Sequence, residues 1–421
     1  MIVLLCGTSH SKILAGSCDV KVHFSSLSTP SMAIQNSSSP TKASISGRGS
    51  GSSAWPSMKI APPDHLTDFC NRGEIRSVPA VMNYVSPETV EISTRRDTGG
   101  SDSTLVGATW DPTVVRVANA RHGVGGDGSK LSLDTNGFEL WSSQVQPIEL
   151  LKEIDYLDQD QVVDKYYPSC EHIVTAALQS QSSHPSPRIA GVYAFDHNVR
   201  CKEKFSCGTI KPASQSKDAD IAPQIQQPAG IVHADYTRTS APKRLDDLSK
   251  PPKLNDVLRP KLLAEKRASL LEPGMIQEAL DGKRRFAFIN VWRNIDAENP
   301  VKDCPLACVD ASTTSMDHLR VFKIHYVDRV GENYFVCPSA NHSEQSRQHD
   351  WYYYPDMTMN EALLLKQWDS NGGIAKGYDV DNIKSHLSTF TVHSAFLDPS
   401  CPDVPPRRSI EVRCVVVWEA E

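Results

Sequence analysis

The chain has 421 residues, 39% hydrophobic and 22% charged, enough for a substantial core; 44 Lys+Arg against 50 Asp+Glu give a formal charge of -6. That balance supplies no global positive field, which argues against nucleic acid or an anionic membrane as a partner. The apolar run Met1–Cys6 lacks a basic flank and stops at Gly7, too short for a secretion signal or a bilayer span. The expectation is a soluble, cytoplasmic protein whose eleven cysteines are reduced thiols.

From Ser25 to Ser57, 13 of 33 positions are serine, so too little apolar surface is available to offset ordering entropy, and residues 1–58 read as a disordered tail. Residues 59–421 read as one domain. Short β-branched runs at Ala80–Val85, Thr104–Ala108, Val114–Ala118 and Leu131–Leu133 predict strands. Leu150, Leu151, Ile154 and Leu157, then Ile173, Val174, Ala177 and Leu178, recur at helical spacing and predict a pair of helices within Pro147–Gln179. Arg188–Phe195 returns to strand character, and the polar stretch near 202–227 reads as a surface insertion. Gly230–Tyr236 is strand-like; Lys250–Leu254 is a Pro-rich connector; Leu262–Leu271 and Gly274–Leu280 are helical pieces. Phe286–Trp292, Val321–Val327, Tyr334–Cys337, Trp351–Tyr354, Thr389–Phe396 and Ser409–Trp418 predict further strands. Thr358 and Glu361 fit a capping box, which predicts a helix from Met359 to about Trp368. Many short strands with few helices point to a mainly β fold with flanking α: a sandwich, jelly roll or barrel.

Two motifs fail on context. Gly123-x-Gly125-x-x-Gly128 is followed by residues in strand-and-turn order, whereas pyrophosphate binding needs a helix N-terminus there. Cys304-x-x-x-Cys308 lacks a second pair at zinc-ligand spacing.

His233-Ala234-Asp235 ends a strand-like run, and residues i and i+2 of a strand share a face, so imidazole and carboxylate can converge on one ion. A distant histidine would complete the two-His, one-carboxylate face of non-haem iron(II) sites. His393 lies in a late strand, and Arg407 and Ser409 follow at the head of the terminal one. A guanidinium fork plus a hydroxyl suits the distal carboxylate of a 2-oxo acid. Arg408 and Arg413 are rival anchors: Arg408 alternates to the opposite face, and Arg413 shares the parity of Arg407.

Ile289-Asn290-Val291-Trp292-Arg293, Pro305-Leu306-Ala307, Pro355-Asp356-Met357, His393-Ser394-Ala395-Phe396-x-Asp398-Pro399 and Pro406-Arg407-x-Ser409-Ile410-Glu411-Val412-Arg413 resemble the fungal hydroxylase/desaturase family. Asp134-x-x-Gly137-Phe138, Tyr166-Tyr167-Pro168 and Phe195-Asp196-His197-x-Val199-Arg200 fit the same pattern. This resemblance, over about residues 80 to 421, implies a double-stranded β-helix (jelly-roll) core. It also implies iron(II)- and 2-oxoglutarate-dependent oxidation, with dioxygen, of a small-molecule secondary metabolite. It assigns His233, Asp235 and His393 as metal ligands and Arg407 as the 2-oxoglutarate anchor, to which the strand parity adds Ser409, with no catalytic side chain beyond the metal centre. Arg200, Asn290, Trp292 and Arg293 are candidates for the substrate pocket wall. Ala234-Asp235-Tyr236-Thr237 and Asn294 depart from the family pattern and bear on substrate class. The alternative is a jelly-roll binding protein without catalysis.

Overall fold

Strand-forming runs outnumber helical ones along the chain, and they assemble into two sheets. The computed structural model describes residues 52–53, 55–61, 76–95, 105–123, 129–142, 147–180, 188–201, 225–326, 329–338, 349–378 and 386–420. Strands β1 (Ser52–Ser53), β2 (Ser77–Val85), β3 (Ile92–Arg95), β4 (Leu105–Val106), β5 (Trp110–Asn119) and β6 (Phe138–Ser142) come first. Helices α1 (Ile148–Lys152), α2 (Gln159–Gln161) and α3 (Tyr167–Ser180), with a π-helical turn at Val162–Tyr166, precede β7 (Ile189–Cys201) and β8 (His233–Ala234). Then follow α4 (Ser240–Leu248), α5 (Arg259–Ala264), α6 (Pro273–Leu280), β9 (Phe286–Asn294) and β10 (Leu306–Val309). The remaining elements are β11 (Leu319–His325), β12 (Val330–Val336), β13 (Trp351–Tyr353), β14 (Glu361–Asp369), α7 (Gly373–Lys376), β15 (His393–Ala395) and β16 (Arg408–Trp418).

The larger sheet runs β1-β4-β3-β11-β12-β8-β15-β10-β13-β5-β2 and is mixed, with β3–β11 and β5–β13 parallel. The smaller, β6-β14-β9-β16-β7, is antiparallel throughout. Every residue of β9 is buried, because the smaller sheet is covered on both sides. On one face, Asn290 and Trp292 look toward β8, β10 and β15; on the other, Val291 and Arg293 meet the helical layer of α3 and the π-turn.

Several expectations are corrected. The expected helix is a turn at Met359–Asn360 followed by strand β14: Thr358 N donates to Glu361 Oε2 at 3.0 Å, but this turn feeds β14, which pairs with β6 and β9. Pairing on two sides overrides local helix preference. Leu131–Leu133 is no strand, since Ser132 O accepts from Asn136 and Gly137 N in a turn that places Gly137 at φ 84°. Of the expected tail, residues 1–51 and 54 lie outside the described residues, but Ser52–Ser53 pair with β4 and Trp55 meets Phe322 edge-on at 6.0 Å. One large aromatic outweighs its serine-rich surroundings. Residues 202–224 and the glycines at 125 and 128 are also outside the described set. Gln226, at the end of the expected insertion, joins the sheet edge instead: its N donates to Val199 O at 3.0 Å and its O accepts from Cys201 N at 2.9 Å. Cys201 is disulfide-bonded, against the expectation of thiols throughout, whereas Cys304 and Cys308 are buried.

Candidate metal and anion site

The expected run Gly230–Tyr236 contracts to the short strand β8, and this brings the triad together. His233 sits opposite His393 in the β8–β15 register, with ring centroids 4.3 Å apart, and Asp235 returns to the same face two residues on. The ligand atoms of His233, Asp235 and His393 all lie within 4.8 Å of one another, and all three residues are buried. His233 Nε2 is 3.8 Å from Asp235 Oδ1.

Backbone carbonyls set the protonation. His233 Nδ1 donates to Ile231 O at 2.7 Å and His393 Nδ1 to Thr391 O at 3.2 Å; a carbonyl only accepts, so each ring carries its proton on Nδ1 and keeps the Nε2 lone pair for an ion. Burial, reinforced by His393, pushes His233 down to about 3, so its ring is neutral. Burial disfavours the Asp235 charge, but Arg413 and neighbouring groups outweigh it and hold the carboxyl below the usual range. Two imidazoles and one carboxylate make a donor set that suits a divalent ion such as iron(II).

The smaller sheet supplies the facing wall. Its register aligns Arg200 with Ser409, Glu411 with Trp292, and Asp196 with Arg413 and Asn290. Cross-strand partners share a face, so two guanidiniums and two carboxylates are gathered opposite the triad, with Arg407 just before β16. Arg413 is committed to Asp196 at 3.0 Å. Arg200 has only Gln227 O, at 2.9 Å from Nη1, as a hydrogen-bond acceptor among the described residues. Arg407 donates from Nη1 to Cys304 O, whose residue takes the left-handed φ of 46°, and lies 5.5 Å over the Trp292 ring. Burial lowers its pKa to about 10. Arg407 Nε and Ser409 Oγ are buried with no hydrogen-bond partner among the described residues. Buried polar atoms are rarely left so, and here two of them come from neighbouring positions of one face.

Arg293 lies apart from Asn290 and Trp292, with which it was grouped in sequence. It points to the far side of the sheet, where its Nε donates to Tyr166 Oη at 3.0 Å and its Nη1 to Met359 O at 2.6 Å. Strand parity separates it from Asn290 and Trp292, so it ties sheet to helices. Trp292 packs with Phe138, Cys308, Tyr352, Leu363 and Leu365 in an apolar cluster between the sheets. A cavity of about 630 Å³, lined by Asp134, Arg285, Lys376, Tyr378 and His386 among others, contains none of the triad or its facing arginines. Donor chemistry, not volume, locates the site. Sequence reasoning passed over Glu411 and Asp196 as site residues; the signal lay in the polar alternations Asp196-Asn198-Arg200 and Ser409-Glu411-Arg413 within strands of largely apolar sequence.

A family model described as "Oxidoreductase/YMDC permease-like domain" matches residues 82–417. Hydroxylase/desaturase CTB9 of Cercospora beticola is 32% identical over 376 residues, covering 86% of this chain and 93% of that protein. The chain belongs to the hydroxylase/desaturase family. A further relative, the Fe(II)/2-oxoglutarate-dependent dioxygenase nvfI of Aspergillus novofumigatus, is 28% identical over 339 residues, 80% of this chain and 95% of that one. Among solved structures, the iron and alpha-ketoglutarate-dependent endoperoxidase NvfI aligns over 82% of this chain and 99% of its own, with TM-score 0.53 and 23% identity. The two share a fold, so the hydroxylase/desaturase has a jelly-roll core. Among its described residues no helix is long and apolar enough to cross a membrane.

Proposed function

We propose that the protein is an iron(II)- and 2-oxoglutarate-dependent oxygenase that hydroxylates or desaturates a small-molecule secondary metabolite. His233, Asp235 and His393 hold the metal, and Arg407 with Ser409 holds the distal carboxylate of 2-oxoglutarate. The observation that carries this reading is the pairing of a complete buried donor triad with unmatched donors, Arg407 Nε and Ser409 Oγ, on the wall opposite. Iron(II), when bound with 2-oxoglutarate and dioxygen, supplies the oxidising power needed to break an unactivated C–H bond.

The chain's own residues bind, orient and exclude water. The Ile231 and Thr391 carbonyls fix both imidazoles so that Nε2 faces the ion. Arg407, held by Cys304 O and the Trp292 ring, presents its free Nε to the cosubstrate carboxylate, and Ser409 adds a neutral donor. The cluster of Phe138, Trp292, Tyr352 and Leu365 keeps this region dry and favours an apolar reacting carbon. Arg200, beside Ser409 in register, is the pocket-wall residue best placed to meet a polar group of the substrate.

Succinate formation tests the reading. Metal-free protein given 2-oxoglutarate and dioxygen should release succinate only after iron(II) is added, and His393→Ala should abolish release. Iron-independent succinate, or full turnover in the variant, would overturn the proposal.

A further inference from the structure

Asn290 is fully buried on β9, where its strand neighbours Ile289 and Val291 are apolar. Its amide meets two carboxylates: Nδ2 donates to Asp235 Oδ2 at 3.4 Å and to Glu411 Oε1. Ionised carboxylates only accept hydrogen bonds, so both amide protons are committed and the amide has one allowed orientation. Its cost is visible, since Asn290 Oδ1 is buried with no hydrogen-bond partner among the described residues. A residue kept for packing alone would be apolar here, and a residue that touches substrate would keep a donor free.

The two oxygens of Asp235 thus have different neighbours: Oδ2 faces the Asn290 amide, and Oδ1 faces His233 Nε2 at 3.8 Å. Glu411 is the second fixed point, because its oxygen holds the amide nitrogen toward Asp235 rather than away from it. Resting on the metal-site reading above, we infer that Asn290 is a positioning residue, not a pocket wall. It pins Oδ2 so that Asp235 offers a single oxygen, Oδ1, to an ion shared with the two histidines. Outer hydrogen bonds of this kind govern metal affinity, since a freely rotating carboxylate must be ordered again on each binding event.

Cobalt(II) serves as the probe, because its visible absorption reports ligand geometry without turnover. Metal-free full-length protein is titrated with cobalt(II) for wild type, Asn290→Leu, Asn290→Asp and His233→Ala. Leucine is close in volume and donates nothing; aspartate is isosteric and replaces the donor with an acceptor, so it covers the case in which the leucine variant fails to fold. Both Asn290 variants should raise the cobalt(II) dissociation constant roughly ten- to a hundredfold and change the band shape. Their metal-free urea midpoints report whether folding is kept. Wild-type affinity and band shape in both Asn290 variants, with binding weakened in His233→Ala, would overturn this inference and leave the metal site standing. Undiminished binding in His233→Ala as well would overturn the metal site and this inference together.

Discussion

Replacing Arg407 by leucine separates cosubstrate binding from metal binding. The guanidinium has one matched contact, Nη1 to Cys304 O, a stacking contact with Trp292, and a buried Nε with no partner among the described residues. Leucine keeps most of the packing volume but removes the charge. A hydrogen bond to a charged group is worth about 1.5–3 kcal/mol, and about 1.4 kcal/mol corresponds to a factor of ten, so the 2-oxoglutarate requirement should rise roughly ten- to a hundredfold. Metal affinity should stay near wild type, since among the described residues no hydrogen bond or ion pair joins Arg407 to the triad. Arg413→Leu is the contrast: it strands Asp196, which lies 3.0 Å away, and removes the positive charge that favours ionised Asp235, so it should weaken metal binding and stability together. The assay is succinate release against 2-oxoglutarate concentration, with cobalt(II) affinity measured in parallel. An unchanged 2-oxoglutarate curve for Arg407→Leu, with the shift appearing in Arg413→Leu at unchanged metal affinity, would refute the assignment of the anchor.

Two further outcomes follow from buried charge away from the metal. Asp369 is fully buried, 3.0 Å from Lys366 Nζ and 2.5 Å from Arg285 Nη2, so Asp369→Ala should cost about 3–5 kcal/mol by leaving the buried lysine poorly compensated. An unchanged urea midpoint would contradict this. Burial, only partly opposed by Asp196, pushes His197 down to about 4, against about 6.5 in the unfolded chain. The unfolded state therefore binds more protons between these values, and the stability that the neutral ring contributes is present above pH 6.5 and lost toward pH 4. The loss is at most about 3 kcal/mol for this ring, and His197→Gln should show a shallower dependence of its urea midpoint over that range; equal slopes for both proteins would count against it.

Strands with one buried face or a strong β-branched core were legible in the sequence: β9 and β16 fall within a residue or two of their expected positions. The triad was legible too, because His-x-Asp and a late histidine depend only on strand parity and chain order. What escaped was set by tertiary pairing. β14 carries a helix-like start at Thr358–Glu361 and three consecutive leucines, and only its place between β6 and β9 makes it a strand. Arg293 was grouped with Asn290 and Trp292 because it is their neighbour in sequence, yet a single step along a strand reverses the face. Glu411 gained meaning only when the register set it opposite Trp292, where its carboxylate accepts from the Asn290 amide.

The proposed site holds one ion on His233, Asp235 and His393, where 2-oxoglutarate can join it. Its most direct test is the visible charge-transfer absorption that develops when 2-oxoglutarate is added to the iron(II)-loaded protein without oxygen. Wild type should develop this band, and His233→Ala and His393→Ala should lose both the band and stoichiometric iron. A band of wild-type intensity in both alanine variants, with iron retained, would contradict the account.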